Sequence, residues 1–173
     1  MSQENVEAVR KPLRARERSS RTLDQRLSLR FPRLAAAYAR VIGKRPLGSR
    51  LRQVEVWRGA RLAVEAYNRR DAEAVVIGWH PEFEYHTARE WARSGLVEPC
   101  YRGLEGYRKY LATVDEVWAG ENFLKPVELI DLGERMVMLA DGRMRAQASG
   151  VPLTEAFALV TTIEDGLVVR AQE

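Results

Sequence analysis

Residues 62–87 read LAVEAYNRRDAEAVVIGWHPEFEYHT, and the period of the apolar residues changes along them. Followed back a little, Val54, Trp57, Ala60, Val64 and Tyr67 recur at steps of three and four, which gives a helix one apolar face. Asn68-Arg69-Arg70-Asp71 breaks that helix. Asp71 is placed to cap a second, short one through its side-chain oxygen. The short helix is expected to carry Val75, Val76, Ile77 and Trp79 and to stop at Pro81, which has no N–H to give and disfavours helix at His80. Phe83, Tyr85 and Thr87 then alternate with Glu84 and His86, the period of a strand. Two apolar helices feeding one strand need a sheet to cover, and the sequence on the C-terminal side supplies it.

Residues 88–103, AREWARSGLVEPCYRG, read as a loop. Leu104, Tyr107, Leu111, Val114 and Trp118 follow on one helical face, with Gly120 as the stop. Beyond them lies a meander of strands over 123–131, 136–147, 153–163 and 167–173. Pro126 favours a bulge or an edge in the first, and Gly142 a bulge in the second. The turns fall at Leu132-Gly133-Glu134, Ser149-Gly150 and Glu164-Asp165-Gly166.

On the N-terminal side the composition shifts. Residues 1–61 hold 16 basic and 5 acidic side chains, and residues 62–173 hold 12 and 19. Residues 1–23 have few apolar groups to bury and read as a loose, basic tail. Residues 24–43 read as one helix, with Pro32 suited to a first turn, Gly43 as terminator, and Leu34, Tyr38, Val41 and Ile42 as its buried stripe. KRPLGS connects it to the next helix, which Ser49 can cap. The plain reading of this basic region is a solvated helical extension. The functional reading is an arm that meets nucleic acid or an anionic lipid. No apolar run reaches the ~20 residues of a membrane span, so no membrane partner is expected. The first residues, MSQENVEAVR, lack an apolar signal core. One cysteine, Cys100, forms no internal disulfide and suits a reducing cytoplasm. No metal and no cofactor are expected: two histidines and one cysteine make no zinc pattern, and neither a P-loop nor G-x-G-x-x-G is present.

The pattern A-x-N-R-R-D, then about ten residues, then H-P-E-F-E-Y-H-T resembles the opening of SnoaL-like proteins of the NTF2-like superfamily. AREW followed by G-x-V-x-x-x-Y-R-G resembles a subset of them. The resemblance covers residues 54–173. It implies an α+β fold, a cone-shaped roll in which a curved, mainly antiparallel sheet wraps around helices and a pocket. Residues 1–23 and 24–53 then stand outside it as a tail and a basic helical extension. It implies a homodimer, but not one reaction, because the superfamily spans enzymes and binding modules. Ketosteroid isomerase is a relative, and its catalytic positions fall near Thr87, Ala63 and Leu159 here. None of these is a carboxylate or a tyrosine, so the steroid isomerase mechanism is not implied.

Candidate site residues follow from parity. Glu155 shares a strand face with Phe157, Leu159, Thr161 and Ile163. A carboxylate on such a face would be desolvated, with its pKa raised towards acid/base range. Its plain alternative is a strand-end residue pairing with Arg143 or Arg145. His86 is a second acid/base candidate, although alternation sets it opposite Tyr85. Tyr85, Thr87, Arg89, Glu90, Trp91 and Thr161 are candidates to bind substrate, the first and last orienting a carbonyl or hydroxyl. Tyr107, Tyr110 and Trp118 are further aromatic wall. The function expected is a small-molecule pocket protein, a cofactor-independent lyase, isomerase or hydrolase acting on a hydrophobic, oxygenated substrate. The alternative is a non-catalytic binding or dimerisation module with a basic partner-binding helix.

Overall fold

The computed structural model describes residues 9–12, 20–118 and 122–173. Its elements run β1 (Val9–Pro12), α1 (Leu23–Arg30), α2 (Pro32–Gly43), α3 (Arg50–Asn68), α4 (Ala72–Val75), β2 (Trp79–His86), α5 (Arg89–Arg93), β3 (Cys100–Arg102), α6 (Gly103–Val117), β4 (Asn122–Asp131), β5 (Arg135–Arg145), β6 (Pro152–Glu164) and β7 (Leu167–Gln172). The strands form one curved, unclosed sheet in the order β1-β4-β5-β6-β7-β2-β3. Every neighbouring pair is antiparallel except β2 with β7. The architecture is the expected α+β roll.

The organising stretch keeps its outline and changes in detail. Helix α3 buries Val64, Ala66 and Tyr67, while Val54, expected on the same face, lies exposed near its start. The short helix α4 ends at Val75, and Trp79 opens β2 instead of closing the helix. Pro81 therefore lies within the strand. The register against β7 shifts between Trp79 and Glu84, so the proline sits where the ladder is already broken and no N–H is demanded. Trp79, Phe83, Tyr85, Tyr107 and Tyr110 then meet as an aromatic cluster, with Trp79 edge-on to Phe83 at 4.8 Å and Tyr85 4.6 Å from Tyr110. The predicted face of α6 is confirmed. Tyr107, Leu111 and Val114 are buried, Trp118 follows the last turn, and the face packs against β2 and β3. Gly120 lies outside the described residues.

Asn68-Arg69-Arg70-Asp71 does more than break a helix. Asn68 Nδ2 donates to the Leu124 carbonyl and its Oδ1 accepts from the Leu124 N–H, both at 2.8 Å, so one side chain stands in for a neighbouring strand. Arg70 donates to the carbonyls of Tyr67 and Asn122 and to Asp115 on α6. Asp71 caps α4 as expected, accepting from the Ala74 N–H. It also receives Arg21 through two 2.7 Å hydrogen bonds, and Arg21 continues to Glu73 at 2.8 Å. Burial pushes the Asp71 carboxyl up, but the Arg21 and Ala74 bonds outweigh it and leave it below its ordinary value. Arg69 donates to Gln25 Oε1, and Gln25 Nε2 to the Leu62 carbonyl.

Pro126 lies at a register shift in β4, as expected. The expected bulge at Gly142 is absent: Leu124, Gly142 and Glu155 stay in register across three strands. A side chain at Gly142 would begin 3.1 Å from Met144 Cε, so the position serves packing and not a kink. Asp165 and Gly166 both have positive φ, 48° and 78°, as a tight two-residue hairpin turn requires.

The N-terminal region differs most from expectation. Residues 24–43 form two helices, not one, and Pro32 opens the second. Ser49 precedes α3 without a side-chain cap bond. Residues 9–12 of the expected loose tail form β1 on the outer edge of β4, from Val9 opposite Asp131 to Pro12 opposite Glu128. An open edge offers unpaired backbone groups to any extended segment, whatever its side chains. The rest of residues 1–19 lies outside the described residues. Leu34, Tyr38 and Val41, expected to be buried, are each at least half exposed, and only Ile42 of that stripe is buried. Attachment comes from the opposite side of α2. The absent side chain of Gly43 would sit 2.7 Å from Gly166 Cα, and that of Gly166 would sit 2.6 Å from Arg40 Cα. Backbone therefore meets backbone where α2 crosses the β6–β7 turn. Arg52 anchors the corner: its Nε and Nη2 hold Asp131 at 2.8 and 2.9 Å, and its other N–H groups go to the carbonyls of Gly43, Arg45 and Gly133. All five guanidinium donors are satisfied.

Candidate functional site

A cavity of about 480 Å³ lies between the concave face of the sheet and α3. Val64 and Tyr67 from α3, Trp79 and Tyr85 from β2, Tyr107 from α6, Met138 from β5, and Phe157, Leu159 and Thr161 from β6 line its inner part. Towards its mouth it runs past Arg52, Glu55 and Val56 of α3, Leu27 of α1, and Tyr38 and Ile42 of α2. The extension helices thus frame the entrance. The wall is largely apolar with few polar groups, the usual make-up of a small-molecule site.

Two polar features stand out. Thr161 is buried, and its Oγ1 has no hydrogen-bond partner among the described residues. An unmet hydroxyl in an apolar wall costs about 1–3 kcal/mol, a cost that a ligand polar atom would relieve. The other feature is Glu173. Its Oε1 accepts from the Tyr110 hydroxyl at 2.5 Å and the Tyr85 hydroxyl at 2.6 Å, and its Oε2 accepts from the Ala88 N–H at 3.0 Å. Its backbone N–H reaches the His86 carbonyl, which fixes it beside β2. Glu173 is partly exposed as a residue, but its carboxylate is enclosed by two buried tyrosines. Desolvation raises its pKa; the Tyr110, Tyr85 and Ala88 bonds oppose this without cancelling it, and the charge of Glu155 adds to the rise. Burial, with Glu173 next in order, likewise pushes the Tyr85 and Tyr110 hydroxyls well up.

The sequence candidates separate into groups. Tyr85 and Thr161 line the cavity. Glu155 keeps its predicted parity, opposite Gly142, yet is exposed and does not line the cavity, which corrects the expectation of a carboxylate held out of water. The reason lies in the sheet. β7 pairs with β6 only from Val160 onward, and residues 153–156 lie on uncovered sheet. The alternative pairing of Glu155 is not seen either: Arg143 and Arg145 stand opposite Thr154 and Pro152, one step off its face. His86 points to the other side of β2, where its Nε2 lies 3.0 Å from Glu84 and 3.9 Å from Cys100 Sγ. Thr87 is buried, its hydroxyl spent on the Glu98 carbonyl at 2.7 Å. Thr87, His86 and Arg89 line a separate recess with Arg170 and Gln172. Glu90 is exposed, and Trp91 packs on Trp118 at 5.6 Å without reaching the cavity.

Glu84, His86 and Cys100 place one potential metal-ligand atom each within 4.8 Å of one another. Both Glu84 oxygens are already held by guanidinium groups, Oε1 by Arg102 at 2.8 Å and Oε2 by Arg170 at 3.0 Å. A cation would have to displace them.

Sequence reasoning missed Glu173, although the signal was present. Alternation along β7 buries Ala171, and one more step of two reaches Glu173 on the same face. Ala171 is paired with Tyr85, so the next inward position necessarily meets the tyrosines.

The SnoaL-like domain family matches residues 60–171, and the chain belongs to that family. Among solved structures, TerC co-crystallized with polyporic acid is similar, with 26% identity and a TM-score of 0.59, over 66% of this chain and 86% of that one. An NTF2-like protein of unknown function from Burkholderia pseudomallei K96243 gives 28% identity and the same TM-score and coverage. A protein with a ketosteroid isomerase-like fold from Catenulispora acidiphila, in complex with trimethylamine, is 10% identical at a TM-score of 0.54, over 66% and 82% of the two chains, and speaks for the fold alone. No curated protein matches the chain. No helix among the described residues is long and apolar enough to cross a membrane.

Proposed function

We propose that the chain binds a hydrophobic, oxygen-bearing small molecule in the cone cavity and moves a proton there through Tyr85 and Glu173. The observation that carries this is the enclosed carboxylate bonded to a tyrosine of the cavity wall. Tyr85 donates its proton to Glu173 and so presents oxygen lone pairs to a ligand. A ligand hydroxyl donating to that oxygen completes a chain of hydrogen bonds ending at the carboxylate. Proton transfer along the chain never leaves a free phenolate, which burial would disfavour. Run in reverse, the same chain delivers a proton to a ligand carbonyl. Burial raises the Glu173 carboxyl above its ordinary value, the direction that favours its taking up a proton as well as giving one. Thr161 is the orienting donor or acceptor, and Trp79, Tyr107 and Phe157 supply apolar contact.

Of the two forms of the non-catalytic alternative, a dimerisation module predicts a filled core, and a cavity of about 480 Å³ argues against it; a non-catalytic ligand-binding module would keep the cavity and is separated from the enzyme by turnover. The homodimer implied by the resemblance is kept within this reading and is tested by sedimentation equilibrium. The ligand test is calorimetric titration with polyporic acid and related ring compounds, alongside a turnover screen. Thr161→Val should weaken binding about 5-fold, the loss of one hydrogen bond of ~1 kcal/mol. Glu173→Gln should leave binding within a few-fold and remove turnover. Equal turnover by Glu173→Gln and wild type would refute the proton role. Equal affinity of Thr161→Val for every bound ligand would refute the placement in the cavity.

A further inference from the structure

The α1–α2 pair carries an apolar face that no described element covers. Leu23, Leu27, Phe31, Leu34, Tyr38 and Val41 are each half or more exposed. Leu34, Tyr38 and Val41 repeat at four and three residues, so they form one stripe along α2, and Leu23 and Leu27 form another along α1. Basic residues run beside both. Arg26 and Arg30 are spaced by four on α1; Arg33 and Arg40 on α2 and Lys44 just past its end fall at steps of seven and four. All five are exposed, and none has an ion-pair partner among the described residues. Six large apolar side chains edged by unpaired cations are the make-up of a helix that lies in the headgroup region of an anionic bilayer.

We propose that this face docks the protein on an anionic lipid surface, with the cavity mouth turned towards the membrane. Leu27 and Tyr38 belong both to the exposed face and to the cavity lining, so the apolar face and the cavity entrance share side chains. A docked protein can take up a membrane-dissolved apolar ligand without passing it through water. Surface adsorption needs no spanning helix. A second copy fits this face poorly, because an isologous contact would bring two copies of the same cationic patch together. Nucleic acid answers the charge and leaves the apolar stripe bare. The docking stands whether or not the cavity performs chemistry.

The test is co-sedimentation of the full chain with phosphatidylcholine vesicles, with and without phosphatidylserine. Binding is expected only with phosphatidylserine, falling as salt shortens the screening length from ~10 Å at 0.1 M to ~3 Å at 1 M. Neutralising Arg33, Arg40 and Lys44 together by Gln should weaken it about 100-fold, each cation near the surface being worth about fivefold. Leu34→Ser, Tyr38→Ser and Val41→Ser combined should abolish tight binding with all charges present. These positions are exposed, so the variants should keep the wild-type melting temperature. Three results would overturn the proposal: no phosphatidylserine-dependent binding by wild type at low salt, undiminished binding by the apolar variant, or a wild-type dimer without vesicle binding that the apolar variant converts to monomer. If a variant does not fold, the headgroup and salt dependence of the wild type still decide.

Discussion

Replacing Asp131 by Ala should cost about 3–5 kcal/mol, the range for a buried ion pair that loses one partner. Asp131 is fully buried and Arg52 nearly so. Without the carboxylate, the Arg52 Nε–H and one Nη2–H lose their acceptor, and the Gly133 N–H loses its bond to Asp131 Oδ1. The guanidinium cannot reach water without pulling α3 away from the carbonyls of Gly43 and Arg45. Against a typical total of about 5–15 kcal/mol, the loss is large. At about 2–4 °C per kcal/mol for a chain of this size, the melting temperature should fall by about 6–20 °C. Thermal scans by circular dichroism and urea titration measure it, and the urea midpoint should move without a change in slope. Arg52→Met with Asp131→Leu should be less harmful than either single change, because no charge is left stranded. A fall below about 1 kcal/mol for Asp131→Ala would show that the pair behaves like a surface salt bridge and would refute its role as the anchor of the corner.

Gly166→Ala should displace α2, since its Cβ would meet the backbone of Ala39 and Arg40 at a φ of 78°; hydrogen exchange over residues 32–43 should rise, and unchanged protection would contradict the close approach. Asn68→Ala removes both hydrogen bonds to Leu124 and should cost about 1–3 kcal/mol in urea denaturation; a neutral result would mean that water replaces the side chain freely. Glu173 sets a pH dependence. Above its ordinary value of 4.5 and up to its raised folded value, the folded chain holds a proton that the unfolded chain has lost, so stability falls as pH rises through that window. Glu173→Gln should flatten that fall, and an unchanged slope in the variant would assign it to another group.

Much of the fold was legible because its signals are periodic. The face of α6, the strands β5 to β7 and the Asp165-Gly166 turn follow from spacing and turn chemistry. The misreadings share a cause: they depend on what lies opposite. Val54, Leu34, Tyr38 and Val41 have the spacing of a buried stripe, but spacing fixes only that residues share a face, not that the face is covered. Glu155 shows the same limit, with correct parity on a part of β6 that β7 does not reach. Strands β1 and β3 were unreadable because they are short and held by edge backbone bonds, not by an apolar pattern. Tyr85 and Thr161 were found by parity. The inward parity of Glu173 was readable along β7, but its meeting with the tyrosines required knowing that β7 pairs with β2, a long-range fact that no local window contains.

That pairing also governs how the chain can fold. Trp79 pairs with Val168, 89 residues further on, and parallel strands cannot be joined by a hairpin. At ribosomal rates of about 5–20 residues per second, β2 waits on the order of 5–20 s for its partner to be made. Through that interval Trp79, Phe83 and Tyr85 have α6 to pack on but no completed sheet beside them. Closing so long a loop comes late and slowly. The nascent chain therefore spends its growth with the aromatic wall of its own cavity open to other proteins, and a chaperone that holds aromatic strands should meet it at β2.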